Sequence, residues 1–230
     1  MPTAFAPRLD ILPGPQLRLW RELIAVPKEF TLYGGTAIAL QLGHRQSIDF
    51  DFFGSKRFDS ETLTDRIGFL EDAEILQREA STITYLVDRD GPVKLSFFGV
   101  PDIGQVDRPL VAPDIGLRVA SLRDLAGMKV SVVQVRSEAK DYLDLAALIE
   151  HGIDLVTALA AGTAIYGQQF NPQITLKALA YFGDGDLPSL PAKVKRLLRD
   201  RVRAADLDEL PQIKPARPHK SARRKQRPMS

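Results

Sequence analysis

Hydrophobic positions change their period along this chain, and the changes outline its parts. Leu17, Trp20, Leu23 and Ile24 recur at helical spacing behind Pro13 and Pro15, which predicts a helix over 15–26. Phe30-Thr-Leu-Tyr33 reads as a short strand ending at Gly34-Gly35, and Thr36–Leu42 as a short helix stopped by Gly43. Apolar and polar residues then alternate strictly from Ser47 to Phe52, the pattern of a half-buried strand, expected over 47–53. Asp59 or Ser60 can cap a helix reaching Leu70. Strands are expected over 73–79, 82–87 and 93–98, with Asp88-Arg-Asp-Gly-Pro92 as the turn between the last two. A Pro- and Gly-rich stretch, 99–116, crosses to a second half whose period is helical. There Ser121-Leu-Arg-Asp124 has the spacing of a capping box, and helices are expected over 121–136, 140–150, 154–166, 172–181 and 190–208. Strands first and helices afterwards predict an α+β protein, a mixed sheet with flanking helices followed by a C-terminal helical bundle. The expected parts are a core over 1–116, a helical domain over 117–210 and a tail over 211–230.

Composition narrows the chemistry. The 230 residues, 44% hydrophobic and 26% charged, suffice for a sizeable soluble core. No window approaches the roughly 20 apolar residues of a membrane span. The start, MPTAFAPRLDILPGPQ, lacks the basic and apolar regions of a signal peptide, so a cytoplasmic protein without membrane contact is expected. With no Cys there are no disulfides, thiolate nucleophiles or Cys-based metal sites. Three His, at 44, 151 and 219, argue against a His-rich metal cage.

Charge is unevenly placed. From Lys214 to the end there are seven Lys/Arg and no acid, whereas residues 1–213 hold 24 basic and 29 acidic residues. Such a segment supplies no apolar face, so it is expected to be disordered and removable after Gln212 without harm to the fold. It is a solubilising extension, a segment that holds an acidic partner, or an arm for RNA phosphates.

The densest chemistry lies between Gly34 and Phe53. Asp49 and Asp51 are two apart on a strand, so both carboxylates leave one face, while Ile48, Phe50 and Phe52 leave the other toward a core. Paired acids repel unless a cation sits between them, and Mg²⁺ carrying phosphate oxygens suits two carboxylates. Gly34-Gly35 let backbone amides approach a ligand, and the following helix offers its N-terminus to an anion. In the intervening loop His44 reads as a turn residue, and Arg45 as either a solvated charge or a fork donor to a triphosphate.

Further on, Lys129 continues the stripe of Leu122, Leu125 and Ala126, which calls for a partner or for a stem lying on the core. Asp141 and Asp144 share the next helix face. Asp144 can pair with Lys129 or, at i, i+4, with Lys140 on an exposed surface. Asp184-Gly-Asp186, a third acid pair, reads as a turn.

Strand, Gly-Gly-Thr, helix, His-Arg-x-Ser and Asp-Phe-Asp-Phe-Phe, in that order, resemble the first motif of the DNA polymerase β-like nucleotidyltransferase superfamily, and within it the AbiEii/AbiGii toxin family. The likeness extends to Ser121–Lys129 and Lys140–Asp144. It implies a polymerase β-like sheet and transfer of NMP from an NTP to an acceptor, tRNA being favoured, by a Mg²⁺-dependent toxin with a cognate antitoxin. It implies catalytic roles for Asp49, Asp51, Lys129 and Asp144, with Mg²⁺ on Asp49 and Asp51. Nucleotide binding would fall to Gly34, Gly35, Thr36, Arg45, Ser47 and Lys129. Gly35 and Thr36 would hold phosphates through amides and a hydroxyl, Lys129 would contact phosphate, and Asp144 would be the late catalytic acid. One departure stands out: Ser96 occupies the expected place of a third metal-binding carboxylate. This departure supports one alternative, an inactive nucleotide- or RNA-binding module; an enzyme that modifies protein is the second.

Overall fold

The computed structural model describes residues 3–219. The chain divides into two compact units, one made of residues up to 102 with 109–120, the other of 103–108 with the residues from 121 onward.

The first unit is built on one mixed sheet of seven strands. After helix α1 (Gly14–Trp20) come β1 (Phe30–Tyr33), α2 (Gly34–Leu42), β2 (Asp49–Gly54) and α3 (Ser60–Arg66). Then follow β3 (Glu74–Glu79), β4 (Thr82–Asp88), β5 (Pro92–Gly99), β6 (Leu110–Ala112) and β7 (Leu117–Val119). Their order across the sheet is β3-β4-β5-β2-β1-β7-β6. β2 sits near the middle, antiparallel to β1 and parallel to β5. Alternation sorts the side chains: Leu32, Phe50, Phe52, Leu95 and Phe97 are fully buried, and Phe52 stacks on Phe97 with centroids 5.0 Å apart. Burying that face is the main stabilising contribution, on the order of 2 kcal/mol per large side chain.

The helix expected over 15–26 keeps its α form only to Trp20 and tightens into a 3₁₀ turn over Arg21–Ala25. Ile48, expected inside, is 56% exposed, because β2 begins one residue later at Asp49. The boundary expected at 116 also moves. β7 joins the sheet beside β1, Leu32 opposite Val119, so 117–120 belong to the first unit. Three residues are too few for periodicity to reveal a strand.

The second unit holds α4 (Leu122–Val132), α5 (Ala139–Glu150), α6 (Leu155–Tyr166), α7 (Pro172–Ala180) and α8 (Ala192–Ala204). Ser121 caps α4 as expected, accepting the Asp124 amide at 3.0 Å. Asp124 does more than complete a box. Its buried carboxylate accepts the amides of Val106 (2.7 Å) and Asp107 (2.9 Å) and the Ser121 hydroxyl, which pins 103–108 to this unit. Burial nevertheless pushes its pKa up despite those hydrogen bonds.

Residues 211–219, expected to begin a disordered tail, are fixed. Ala216 N donates to Val106 O, Arg217 and Gln105 exchange backbone bonds, and Ile213 packs near Val106, Ala161 and Ile165. One isoleucine and three backbone bonds suffice to order a segment that composition alone assigns to solvent. The remainder of the basic run, 220–230, lies outside the described residues. Among the described residues no single helix is long and apolar enough to cross a membrane.

Candidate active site

The sequence-predicted residues fall into two groups, one in each unit. In the first, the end of β1 and the start of α2 meet β2. Tyr33 is in register with Asp51, and Gly34 follows at φ +75°, a conformation that favours glycine. A Cβ on Gly34 would come within 2.7 Å of Asp51 Oδ2. The Gly-Gly turn and the acid pair, inferred separately from sequence, therefore touch.

α2 opens at this point, and Tyr33 at its N-cap makes no side-chain cap hydrogen bond to its first amides. Thr36 is placed behind the turn: its buried hydroxyl donates to the Asp49 carbonyl and is hydrogen-bonded to Ser47 Oγ at 2.8 Å. The hydroxyl expected to hold phosphate is thus committed within the protein. It fastens α2 to the entry of β2 and so fixes where Asp49 starts. Ser47, itself buried, takes part in the same tie. Arg45 donates to the Gln46 carbonyl at 2.8 Å and stays at the rim of the loop with His44.

The neighbouring strand supplies what sequence reading passed over. In register along β5, Lys94 lies opposite Asp49 and Ser96 opposite Asp51. Lys94 Nζ is 3.3 Å from Asp49 Oδ2, both side chains being substantially exposed. Ser96 is buried and hydrogen-bonded with Thr84 at 3.2 Å. No sequence pattern marks Lys94, because its relation to Asp49 depends on the parallel pairing of strands more than forty residues apart. The position expected to carry a third acid therefore holds a serine, with a lysine two residues before it. Among the described residues no group of three or more His, Cys, Asp or Glu side chains forms a metal cage. Two carboxylates on one face suit a Mg²⁺ that arrives with phosphate oxygens better than one held by protein alone.

The second group is a buried ion cluster. Lys129 Nζ lies 2.5 Å from Asp141 Oδ1 and 2.7 Å from Asp144 Oδ2. Arg136 Nε donates to Asp141 Oδ2 at 2.7 Å and Nη2 to Oδ1 at 3.1 Å. Both carboxylates are fully buried and the Lys129 side chain is 8% exposed. Burial pushes the Asp141 carboxyl up, but Arg136 and Lys129 outweigh it and hold the group below the usual range. Lys129 thus meets Asp144, as one of the two sequence alternatives required. Lys140 turns instead to Glu138, at 2.8 Å. Asp186, in the turn beyond α7, accepts the Ala139 amide at 2.6 Å and caps α5, a task its sequence context did not reveal.

A further charged feature is α8, whose 13 residues hold six Lys/Arg and one Asp. Val194 and Leu198 are buried, while Lys193, Arg196, Arg199, Arg201 and Arg203 are exposed. The sequence predicts this helix within 190–208; its one-sided charge emerges only with the burial of Val194 and Leu198.

The chain was compared with known proteins on this basis. The sequence model of the family described as "Nucleotidyl transferase AbiEii toxin, Type IV TA system" matches residues 18–222. An uncharacterized protein of Aquifex aeolicus is 33% identical over 164 residues, which is 70% of this chain and 77% of that protein. Two solved structures share the fold. A chain from H. pylori described as a nucleotidyltransferase has a TM-score of 0.53 at 20% identity, covering 81% of this chain and 91% of its own. The nucleotidyltransferase toxin MenT4 from Mycobacterium tuberculosis has a TM-score of 0.57 at 15% identity, covering 83% of each chain.

Proposed function

The chain belongs to the AbiEii nucleotidyltransferase toxin family, and from that premise we propose that it transfers the NMP of an NTP to RNA, with tRNA the favoured acceptor, releasing pyrophosphate. The observation that carries the reading is the close approach of Gly34 to Asp51, which sets the N-terminus of α2 against a carboxylate pair. Phosphate recognition and metal binding then share one corner of one sheet. Asp49 and Asp51 would hold Mg²⁺, which would supply positive charge for the phosphates and make the acceptor hydroxyl more acidic.

The chain's own residues do the rest. Asp49 and Asp51 present their oxygens from a single face of β2, and the amides of Gly35 and Thr36 face the phosphates. Thr36 and Ser47 hold that geometry from behind. Lys94, exposed and paired with Asp49 at 3.3 Å, is a cation within reach of a phosphate held at the acid pair. Arg45 is a fork donor at the rim. In the second unit Asp144 fixes the Lys129 ammonium, the 2.7 Å contact supporting that pairing, and the family resemblance alone gives Lys129 a phosphate-contacting role.

RNA is favoured over protein because α8 offers a net positive surface on a body that is otherwise acidic, and phosphates release counterions when such charges meet them. A cytoplasmic toxin opposed by a cognate antitoxin is the setting that this reading implies.

The test is incubation of the full chain with each labelled NTP and Mg²⁺, offering total RNA or total protein, with Asp49→Asn and Asp51→Asn as controls. Label on RNA that both variants abolish bears out the proposal. Label on protein replaces the acceptor, and NTP binding without transfer leaves the inactive binding module that Ser96 favours.

A further inference from the structure

The sheet face that carries the acid pair does not stay polar. Along β2 it presents Asp49, Asp51 and Phe53, and along β5 Lys94, Ser96 and Phe98, paired one for one. The opposite face sends Phe50, Phe52 and Phe97 into the core, all fully buried. Phe53 and Phe98 are outside that core and only half-buried. Tyr33, opposite Asp51 on β1 and on the same face, is buried and backs them. Ring centroids run Tyr33 to Phe53 at 5.1 Å and Phe53 to Phe98 at 4.9 Å, the latter two planes tilted by 35°.

We infer that Phe53 and Phe98 form a stacking surface for a nucleobase beside the acid pair. The inference rests on the nucleotidyl-transfer reading and names where a base would lie. Phe53 is two residues along β2 from Asp51, about 7 Å at strand spacing. A phosphate held at Asp51 and a base lying on Phe53 are then separated by roughly the extent of a sugar. Aromatic rings stack on any base, since every base has a π-face, so the surface recognises the chemical class and leaves base identity open. Half-exposed phenylalanines on a polar face give up hydrophobic stabilisation that leucine or isoleucine turned inward would keep. A flat apolar ligand restores it. The base can belong to the incoming NTP or to the 3′ end of the acceptor RNA, and both sources share this chemistry.

The experiment uses the full chain and the variants Phe53→Leu, Phe98→Leu and Phe53→Tyr, with thermal melts to confirm folding. Calorimetry with Mg²⁺ measures binding of ATP, CTP, GTP, UTP and inorganic triphosphate. If the NTP supplies the base, the Leu variants lose roughly 5- to 100-fold in NTP affinity, keep their triphosphate affinity, and Phe53→Tyr recovers it. If the acceptor supplies it, NTP and triphosphate binding hold while KM for RNA rises by a similar factor, and RNA without its 3′-terminal base is insensitive to the variants. Either pattern supports the inference. Folded Leu variants that match wild type in NTP affinity and in KM for RNA overturn it and leave nucleotidyl transfer standing. Equal losses for NTP and triphosphate also overturn it, since the rings would then be shaping the phosphate site. A wild-type chain that binds neither NTP nor triphosphate overturns both this inference and the reading on which it rests.

Discussion

Two Lys–Asp pairs in this protein have the same chemistry and opposite surroundings. Lys94 and Asp49 meet at 3.3 Å on a sheet face where their side chains are 42% and 33% exposed. Lys129 meets Asp144 at 2.7 Å and Asp141 at 2.5 Å with almost no solvent. An exposed pair contributes about 0–1 kcal/mol, since water screens it and competes for both partners. It can therefore be broken by a ligand at little cost. Removing one member of a buried pair leaves an uncompensated charge and costs about 3–5 kcal/mol. Exposure thus separates a site free to rearrange around a substrate from one whose geometry is fixed before any substrate arrives.

The largest effect should come from the open site. Asp51→Asn or Asp49→Asn should lower transfer by about 10³-fold or more, because charge that bridges the phosphates is lost. The melting temperature should stay close to wild type, since the core face of β2 is untouched. Near-normal transfer by a folded variant would break the comparison at its root.

Next in size is the closed cluster. Lys129→Met should cost about 3–5 kcal/mol in denaturant unfolding, whereas Lys94→Met should cost under about 1 kcal/mol. Similar values for the two would mean that exposure does not distinguish the pairs.

Acid titration sharpens the contrast. Asp141 has a folded pKa below its ordinary 3.8, so its contribution is complete above that value and is lost as pH falls through the folded one. Acid unfolding of wild type should therefore steepen below 3.8, and Arg136→Met, which removes one of the cations holding Asp141 ionised, should weaken that dependence. An unchanged acid limb in Arg136→Met would argue that the guanidinium does not stabilise the carboxylate.

A smaller effect than that of Lys129→Met is expected at the C-terminal segment. Truncation after Gln212 should cost about 1–3 kcal/mol, from the Ile213 contacts and the bonds linking 216–217 to 105–106. Truncation after His219 should leave the melting temperature unchanged while flattening the salt dependence of RNA binding, since five Lys/Arg lie beyond it. An unaltered salt slope would assign RNA attraction to α8 alone.

Much of the protein was legible before any coordinates. Strict alternation over 47–52 identified the strand that carries Asp49 and Asp51, and Lys129 on an apolar stripe called for a partner or for a stem lying on the core, of which the structure has the partner. Ser121 capped the helix it was expected to cap. Such features depend on residues within one or two turns of each other, where backbone geometry leaves few choices.

Long-range pairing accounts for the rest. The parallel register of β2 with β5 put Lys94 opposite Asp49, Ser96 opposite Asp51 and Phe98 opposite Phe53. The Asp124 carboxylate drew 106–107 to itself, and Ile213 with its neighbours fixed a segment that composition assigned to solvent. The sequence by itself determined the local periods, the Ser121 cap and which residue types were candidates for metal and phosphate. Tertiary structure alone decided which of those residues meet, how much water each one keeps, and so which Lys–Asp pair is free to act. The reason is physical: a local pattern limits a few dihedral angles, whereas burial and register arise only when distant segments exclude water together.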